Sequence, residues 1–148
     1  MIKLRGIKRS TLWDIACLSL GEEGERYIAT NSDTILQAIF SKKLKYVKGI
    51  YHNKVPIGLT YFYPYRDSVW ISRFMIDHKL QGQGYGTKAF KKVIDVIKEK
   101  YSPKTIKLST SNPIAISLYN KFGFVNEKDD KAERFYDKYK EDLLTLRL

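Results

Sequence analysis

Cysteine is nearly missing from this chain. Its 148 residues hold one, Cys17, which excludes an internal disulfide framework and fits a reducing compartment. Histidine is scarce too: His52 and His78 have no metal-ligand spacing and read as surface or turn residues. No apolar run approaches the ~20 residues of a membrane span. The segment Met1-Ile2-Lys3-Leu4-Arg5 alternates like a strand and has no signal-peptide core. There is no repeat and no separate linker. These absences predict a cytoplasmic, soluble protein of one domain over 1–148, with no metal and no membrane partner.

What is present is apolar and basic. Hydrophobic content of 43% with 14% aromatics predicts a globular core. The net charge of +11, from 27 basic and 16 acidic residues, suits a polyanionic ligand. Nucleic acid and a phosphate-rich cofactor both qualify, and so does a lysine-rich solvated surface with no partner. The lysines are dispersed (Lys42, Lys43, Lys45 and Lys48, then Lys88, Lys91, Lys92, Lys98, Lys100 and Lys104), so no nucleic-acid tail stands out. Cys17 falls in an apolar helical pattern with Trp13 and Leu20 and reads as a small core residue.

Periodicity orders the elements. Ile2 to Ile7 predicts a strand. Ser10 or Thr11 can cap a helix carrying Leu12, Ile15, Ala16 and Leu18. After the acidic stretch Gly21 to Glu25, a helix is predicted from about Ser32 to Lys42, with Ile35, Leu36, Ile39 and Phe40 on one face. Tyr46 to His52, Val55 to Tyr63 and Ser68 to Asp77 predict an antiparallel meander. A long helix follows from about Gly84 to Lys100, with Phe90, Val93, Ile94, Ile97 and Tyr101 on its buried side. Thr105 to Thr110 alternates as a strand, Pro113 to about Phe122 as a helix ended by Gly123, and Phe124-Val125 opens another strand. Leu143 to Leu148 is the last strand, and polar Asn126 to Lys140 reads as a loop or long hairpin. The order predicts a mixed α/β sheet.

Between the third meander strand and the long helix lies Gln81-Gly82-Gln83-Gly84-Tyr85-Gly86. Alternate glycines let the backbone bend tightly and approach a ligand. A helix start directly after them offers unpaired N–H groups and a positive dipole end, which suit a phosphate. A P-loop is excluded because Gly86 is followed by Thr87-Lys88, the wrong order. A dinucleotide fingerprint is disfavoured by the spacing and by a place past mid-chain. A glycine-rich turn without a ligand stays open on these residues alone.

A second motif, Asn112-Pro113-Ile114-Ala115-Ile116-Ser117-Leu118-Tyr119, leads into Lys121-Phe122-Gly123-Phe124. Asn112 is an N-cap with Pro113 at the first helical position. Seven residues are nearly two turns, so Tyr119 returns to the side of Asn112. A cap plus an ordinary amphipathic tyrosine is the plain reading.

Together the two motifs resemble the GNAT superfamily of acyl-CoA N-acyltransferases. Its glycine signature, Gln/Arg-x-x-Gly-x-Gly/Ala, is matched by Gln81 to Gly86. Its second signature is matched by Asn112, Ala115, Leu118, Tyr119, Gly123 and Phe124. Within the superfamily, Val69 to Asp77 and Leu118 to Phe124 look most like small bacterial spermine/spermidine acetyltransferases. The resemblance implies a GNAT-like fold, a central, mostly antiparallel sheet of about seven strands flanked by four helices. It also implies acetyl-CoA as cosubstrate. Phe74, Met75 and Ile76 would bond the pantetheine arm through their backbone. The amides of Gly82, Gln83, Gly84, Tyr85, Gly86 and Thr87 would cradle the pyrophosphate. Lys88 or Lys121 would add a phosphate contact, and Asn112 would contact the cofactor near the thioester. Tyr119 would be the general acid that protonates the leaving thiolate, and backbone N–H groups near Met75 or Ile76 would polarise the thioester carbonyl.

The resemblance does not supply a base. Some relatives carry a glutamate five residues before the asparagine, where this chain has Lys107, and related polyamine enzymes often carry an acid where Ser72 stands. Asp67, Glu25 and Asp77 are candidates beside a water chain. Glu22, Glu23 and Glu25 can bind an ammonium group, or form a solvated acidic loop. The expected function is transfer of acetyl from acetyl-CoA to a small primary amine such as spermidine or spermine, and a homodimer fits equally. The alternatives are a protein or peptide N-acetyltransferase and, from another class, a basic nucleic-acid-binding module with a vestigial cofactor pocket, although nucleic acid is the less expected partner.

Overall fold

The computed structural model describes residues 1–27 and 29–148. In chain order the elements are β1 (Ile2–Gly6), α1 (Leu12–Ala16), α2 (Gly21–Gly24), α3 (Asn31–Phe40), β2 (Val47–His52), β3 (Val55–Tyr65) and β4 (Ser68–Ile76). They continue with α4 (Tyr85–Tyr101), β5 (Thr105–Thr110), α5 (Pro113–Lys121), β6 (Val125–Asn126), α6 (Asp130–Tyr139) and β7 (Asp142–Arg147). The seven strands form one mixed sheet in the order β1-β2-β3-β4-β5-β7-β6. β4 and β5 run parallel, whereas β1–β2, β2–β3, β5–β7 and β6–β7 are antiparallel. Six α-helices stand among the described residues where four were expected, the additions being single-turn α2 and α6. No helix among the described residues is long and apolar enough to cross a membrane.

The chain divides into two compact units. The first comprises Met1–Phe62 with Arg73–Val96, the second Tyr63–Ser72 with Ile97–Leu148.

In the first unit, alternate residues of β2 enter different apolar clusters. Val47 and Tyr51 join Ile15, Ile35, Ala38, Leu59 and Met75, while Ile50 joins Ile57, Ile76 and Ala89. The β2–β3 register slips between Ile50 and Tyr51, which pair with Gly58 and Pro56, so Ile57 is an extra residue on β3. Gly58 must be glycine there: a Cβ would lie 2.1 Å from the Met75 carbonyl oxygen.

Helix α3 buries a different face from the predicted one. Asn31, Thr34, Ile35 and Ala38 face inward, whereas Leu36, Ile39 and Phe40 are exposed, Phe40 at 85%. Apolar residues run all the way from Ile35 to Phe40 except Gln37, so periodicity could not choose the face. Asn31 chooses it by donating Nδ2–H to the Ile15 carbonyl at 2.8 Å inside the core. Cys17 is exposed rather than buried. Helix α1 ends at Ala16, so the helical pattern does not carry Cys17 inward. Thr11 occupies the α1 N-cap, but its hydroxyl bonds the Lys8 carbonyl instead of capping.

In the second unit, β5 alternates as its sequence predicts: Ile106, Leu108 and Thr110 are buried, and Thr105, Lys107 and Ser109 are half-buried. The stretch predicted as loop contains α6. Asp129 caps it by accepting from Ala132 N–H at 2.8 Å, and Lys140 closes it in a left-handed conformation at φ 57°. Its inward side is only Ala132, buried, and Phe135, stacked on Trp70 at 6.4 Å. So narrow an apolar strip hides in a polar sequence.

Candidate active site

The glycine loop lies wholly in the first unit. Asp77 ends β4 and opens a one-turn 3-10 segment, His78–Leu80. Gln81 then folds back, its Nε2–H donating to the Ile76 carbonyl at 3.0 Å, so the first residue of the motif anchors the loop to the strand before it. Gly82 and Gly84 have φ of 79° and 85°, the region glycine alone enters without strain. Gly86 has an ordinary helical backbone. At all three glycines an added Cβ would meet nothing within 4 Å. Packing therefore demands glycine at none of them, and backbone conformation demands it at two. The open surface over the loop leaves room for a ligand to touch the main chain.

Helix α4 starts directly behind. Its first bond runs from Lys88 N–H to the Gly84 carbonyl at 3.3 Å, so the amides of Tyr85, Gly86 and Thr87 have no partner within the helix. No acidic residue stands in this first turn. Thr87 and Lys88 are exposed, while Tyr85 is half-buried with its ring edge-on to His52 at 5.1 Å. These groups fit a phosphate or pyrophosphate. Of the strand residues beside the loop, Met75 and Ile76 are buried, and Phe74 packs edge-to-face on Phe90 at 5.1 Å.

The acidic trio does not act as one group. Glu22 and Glu23 are exposed on α2, and Glu23 lies 3.8 Å from Arg26. Glu25 turns back to accept the Ser19 hydroxyl at 2.7 Å. Ser19, Glu25, Asn31 and Met75 line a small pocket, so Glu25 is the member of the trio placed beside β4. The Asp77 carboxylate accepts two backbone N–H groups, from Ser19 at 3.1 Å and Lys79 at 2.9 Å. Ser19 carries no local sequence signal. It is 58 residues from Asp77 in the chain, and only folding joins them.

The second unit holds the other motif on α5. Asn112 caps that helix, its Oδ1 accepting from Ile114 N–H at 3.0 Å, and its own N–H donates to Thr110 Oγ1 at 3.1 Å. The cap reading is thus correct. Tyr119 is buried at 7% exposure, and burial pushes its phenol up from 10.0 to about 12. Lys121 is exposed. Lys107 stands half-buried on β5, in register with Trp70 on β4 and Thr145 on β7, and no carboxylate occupies that row. Asp67 lies exposed in the β3–β4 turn, 4.0 Å from Lys104. Among the described residues, no group of three or more His, Cys, Asp or Glu side chains could hold a metal.

Comparison with known proteins matches residues 12–124 to the family described as acetyltransferase (GNAT) family. The chain is 36% identical over 96 residues to the spermine/spermidine N(1)-acetyltransferase of Bacillus subtilis (strain 168). That match covers 57% of this chain and 63% of the relative, so the chain spans less than two thirds of that protein. Among solved structures, the PaiA N-acetyltransferase of Thermoplasma acidophilum in complex with coenzyme A superposes with a TM-score of 0.71 at 15% identity, over 100% of this chain and 99% of that one. An Elizabethkingia anophelis GNAT family acetyltransferase with acetyl-CoA bound gives 0.67 at 20% identity, over 99% and 98%. At these identities the likeness is one of fold.

Proposed function

The chain belongs to the GNAT acetyltransferase family, and from that premise we propose that it transfers the acetyl group of acetyl-CoA to the primary amine of a small acceptor, a polyamine such as spermidine or spermine. The observation that carries this reading is the loop Gln81–Gly86, whose three glycines leave open space over amides that their own helix does not use. The amides from Gly82 to Thr87 hold the pyrophosphate, with Lys88 and Lys121 as phosphate contacts. The backbone of Phe74, Met75 and Ile76 binds the pantetheine arm, and Asn112 contacts the thioester end.

The reaction is a direct attack. The acceptor first loses a proton to water, directly or through a carboxylate. Its nitrogen then bonds the thioester carbon, the C–S bond breaks, and sulfur leaves with the electron pair. Tyr119 donates its O–H to that sulfur. A phenol raised to about 12 stays protonated at neutral pH. It is a weaker acid than a thiol, whose pKa is about 8.5. Its contribution is therefore hydrogen-bond donation to the developing thiolate, with net proton supply from the amine and water.

Glu25 is the residue we assign to the acceptor's ammonium group, since its carboxylate is exposed and held in place by the Ser19 hydroxyl. The chain's positive charge opposes a polycation at long range. Screening over about 8 Å at physiological salt lets the local carboxylate dominate.

The test is thiol release from acetyl-CoA across a panel of polyamines, monoamines, amino acids and peptides. Turnover with spermidine or spermine is expected. Turnover with peptides alone would move the acceptor to protein N-termini or lysines. Silence across all amines would overturn the enzyme reading.

A further inference from the structure

We propose that Asp77 is a positioning residue that joins the acceptor-side segment Ser19–Glu25 to the entry of the glycine loop, so that one carboxylate sets both halves of the first unit's binding surface. The inference rests on assigning the loop to the donor and Glu25 to the acceptor.

Asp77 is buried at 7% exposure. Its own N–H donates to the Ile57 carbonyl at 2.8 Å, which holds it to β3. Its Oδ1 accepts Lys79 N–H and shapes the turn that leads into Gln81. Its Oδ2 accepts Ser19 N–H, from the segment between α1 and α2. The joint is doubled, because His78 N–H donates to the Ser19 carbonyl at 2.8 Å. Ser19 passes the constraint on: its hydroxyl accepts Gly21 N–H at 2.9 Å and donates to Glu25 Oε1 at 2.7 Å. Gly21 sits at φ 73°, and a Cβ there would touch the His78 ring at 3.4 Å, so the two segments lie against each other.

A carboxylate suits this joint physically. Two convergent backbone N–H groups from segments far apart in sequence need an acceptor with two oxygens and a formal charge. Asparagine would offer one such oxygen, and alanine none. Any ligand that orders the loop through Lys79 and Gln81 thereby also restrains Ser19, and through it Glu25.

The experiment compares the wild type with Asp77→Asn, Asp77→Ala and Ser19→Ala. Amide hydrogen exchange is followed with and without coenzyme A, together with KM and kcat for both substrates. In the wild type, coenzyme A should slow exchange at Ser19 and Gly21 as well as in the loop. In Asp77→Ala the Ser19 and Lys79 amides should both exchange faster, and KM for both substrates should rise about tenfold, the usual loss for a hydrogen bond to a charged group, with kcat little changed. Asp77→Asn should fall between, and it serves if the alanine variant does not fold. Ser19→Ala should raise KM for the amine and leave coenzyme A affinity unchanged. The proposal is overturned if coenzyme A protects the loop without changing exchange at Ser19 and Gly21, or if both aspartate variants alter one KM only. Exchange needs no turnover, so it reads the joint even if no amine in the panel is acetylated.

Discussion

Tyr119 lies against Phe124 with ring centroids 6.1 Å apart and planes inclined by 52°. The Phe124 N–H also donates to the Tyr119 carbonyl at 3.2 Å, so Phe124 contacts both the ring and the main chain of Tyr119. This packing fixes the ring.

Tyr119→Phe should separate these two contributions. The ring packing survives, so the unfolding free energy should stay within about 1 kcal/mol of wild type. Loss of the donor should lower kcat by roughly 10²-fold or more, the scale of losing one hydrogen bond to a developing negative charge. Steady-state kinetics beside chemical denaturation would check both. Unchanged turnover would remove Tyr119 from the mechanism.

The same residue sets a pH limit on stability. The folded protein holds the Tyr119 proton to about pH 12, and the unfolded chain releases it near the ordinary phenol value of 10.0. Between those values the folded state binds more protons, so stability is complete below about pH 10 and falls as pH rises. The loss amounts to roughly 2–3 kcal/mol at pH 12. Half-buried Tyr63 is shifted the same way and adds to the loss. Urea unfolding at pH 8 and pH 11 should show the decline, and it should be smaller in Tyr119→Phe.

The loop glycines should divide into two kinds. Gly84→Ala places a side chain at φ 85° and should cost about 1 kcal/mol of stability. Gly86→Ala has open space and a helical backbone, so it should be neutral or stabilising by up to about 1 kcal/mol. If the loop binds the acetyl-CoA pyrophosphate, Gly86→Ala should nonetheless weaken the thermal shift given by acetyl-CoA. An unchanged ligand shift in both variants would place the pyrophosphate elsewhere.

Gly58→Ala should be far more damaging than any loop substitution. Its Cβ would meet a backbone oxygen at 2.1 Å, and the β3 bulge leaves no flexible group to yield. A loss of at least ~1–3 kcal/mol is expected. Faster amide exchange around Met75 and Asp77 should accompany it, because those residues bond or abut the same turn of β3.

Long and strongly patterned segments were legible in the sequence. Helix α4 begins one residue from its predicted start and buries Phe90, Val93, Ile94 and Ile97 as expected. The β5 alternation and the Asn112 cap were equally plain, since each depends on residues a few positions apart. Failures came where the deciding partner was distant. The inward face of α3 was set by Asn31 reaching Ile15, and α6 by Phe135 finding Trp70. Neither partner lies in the window that local periodicity reads.

The sequence by itself made the glycine loop legible and carried the resemblance to the family, because glycine spacing, the helix start and the Asn112–Tyr119 spacing are local properties of the chain. Tertiary structure alone decided which acid of the Glu22, Glu23 and Glu25 trio accepts the Ser19 hydroxyl, why Asp77 is spent on backbone N–H groups, and how far burial raises Tyr119. Those outcomes depend on desolvation and on contacts across 58 residues of chain, as between Ser19 and Asp77, which exist only once the chain has folded.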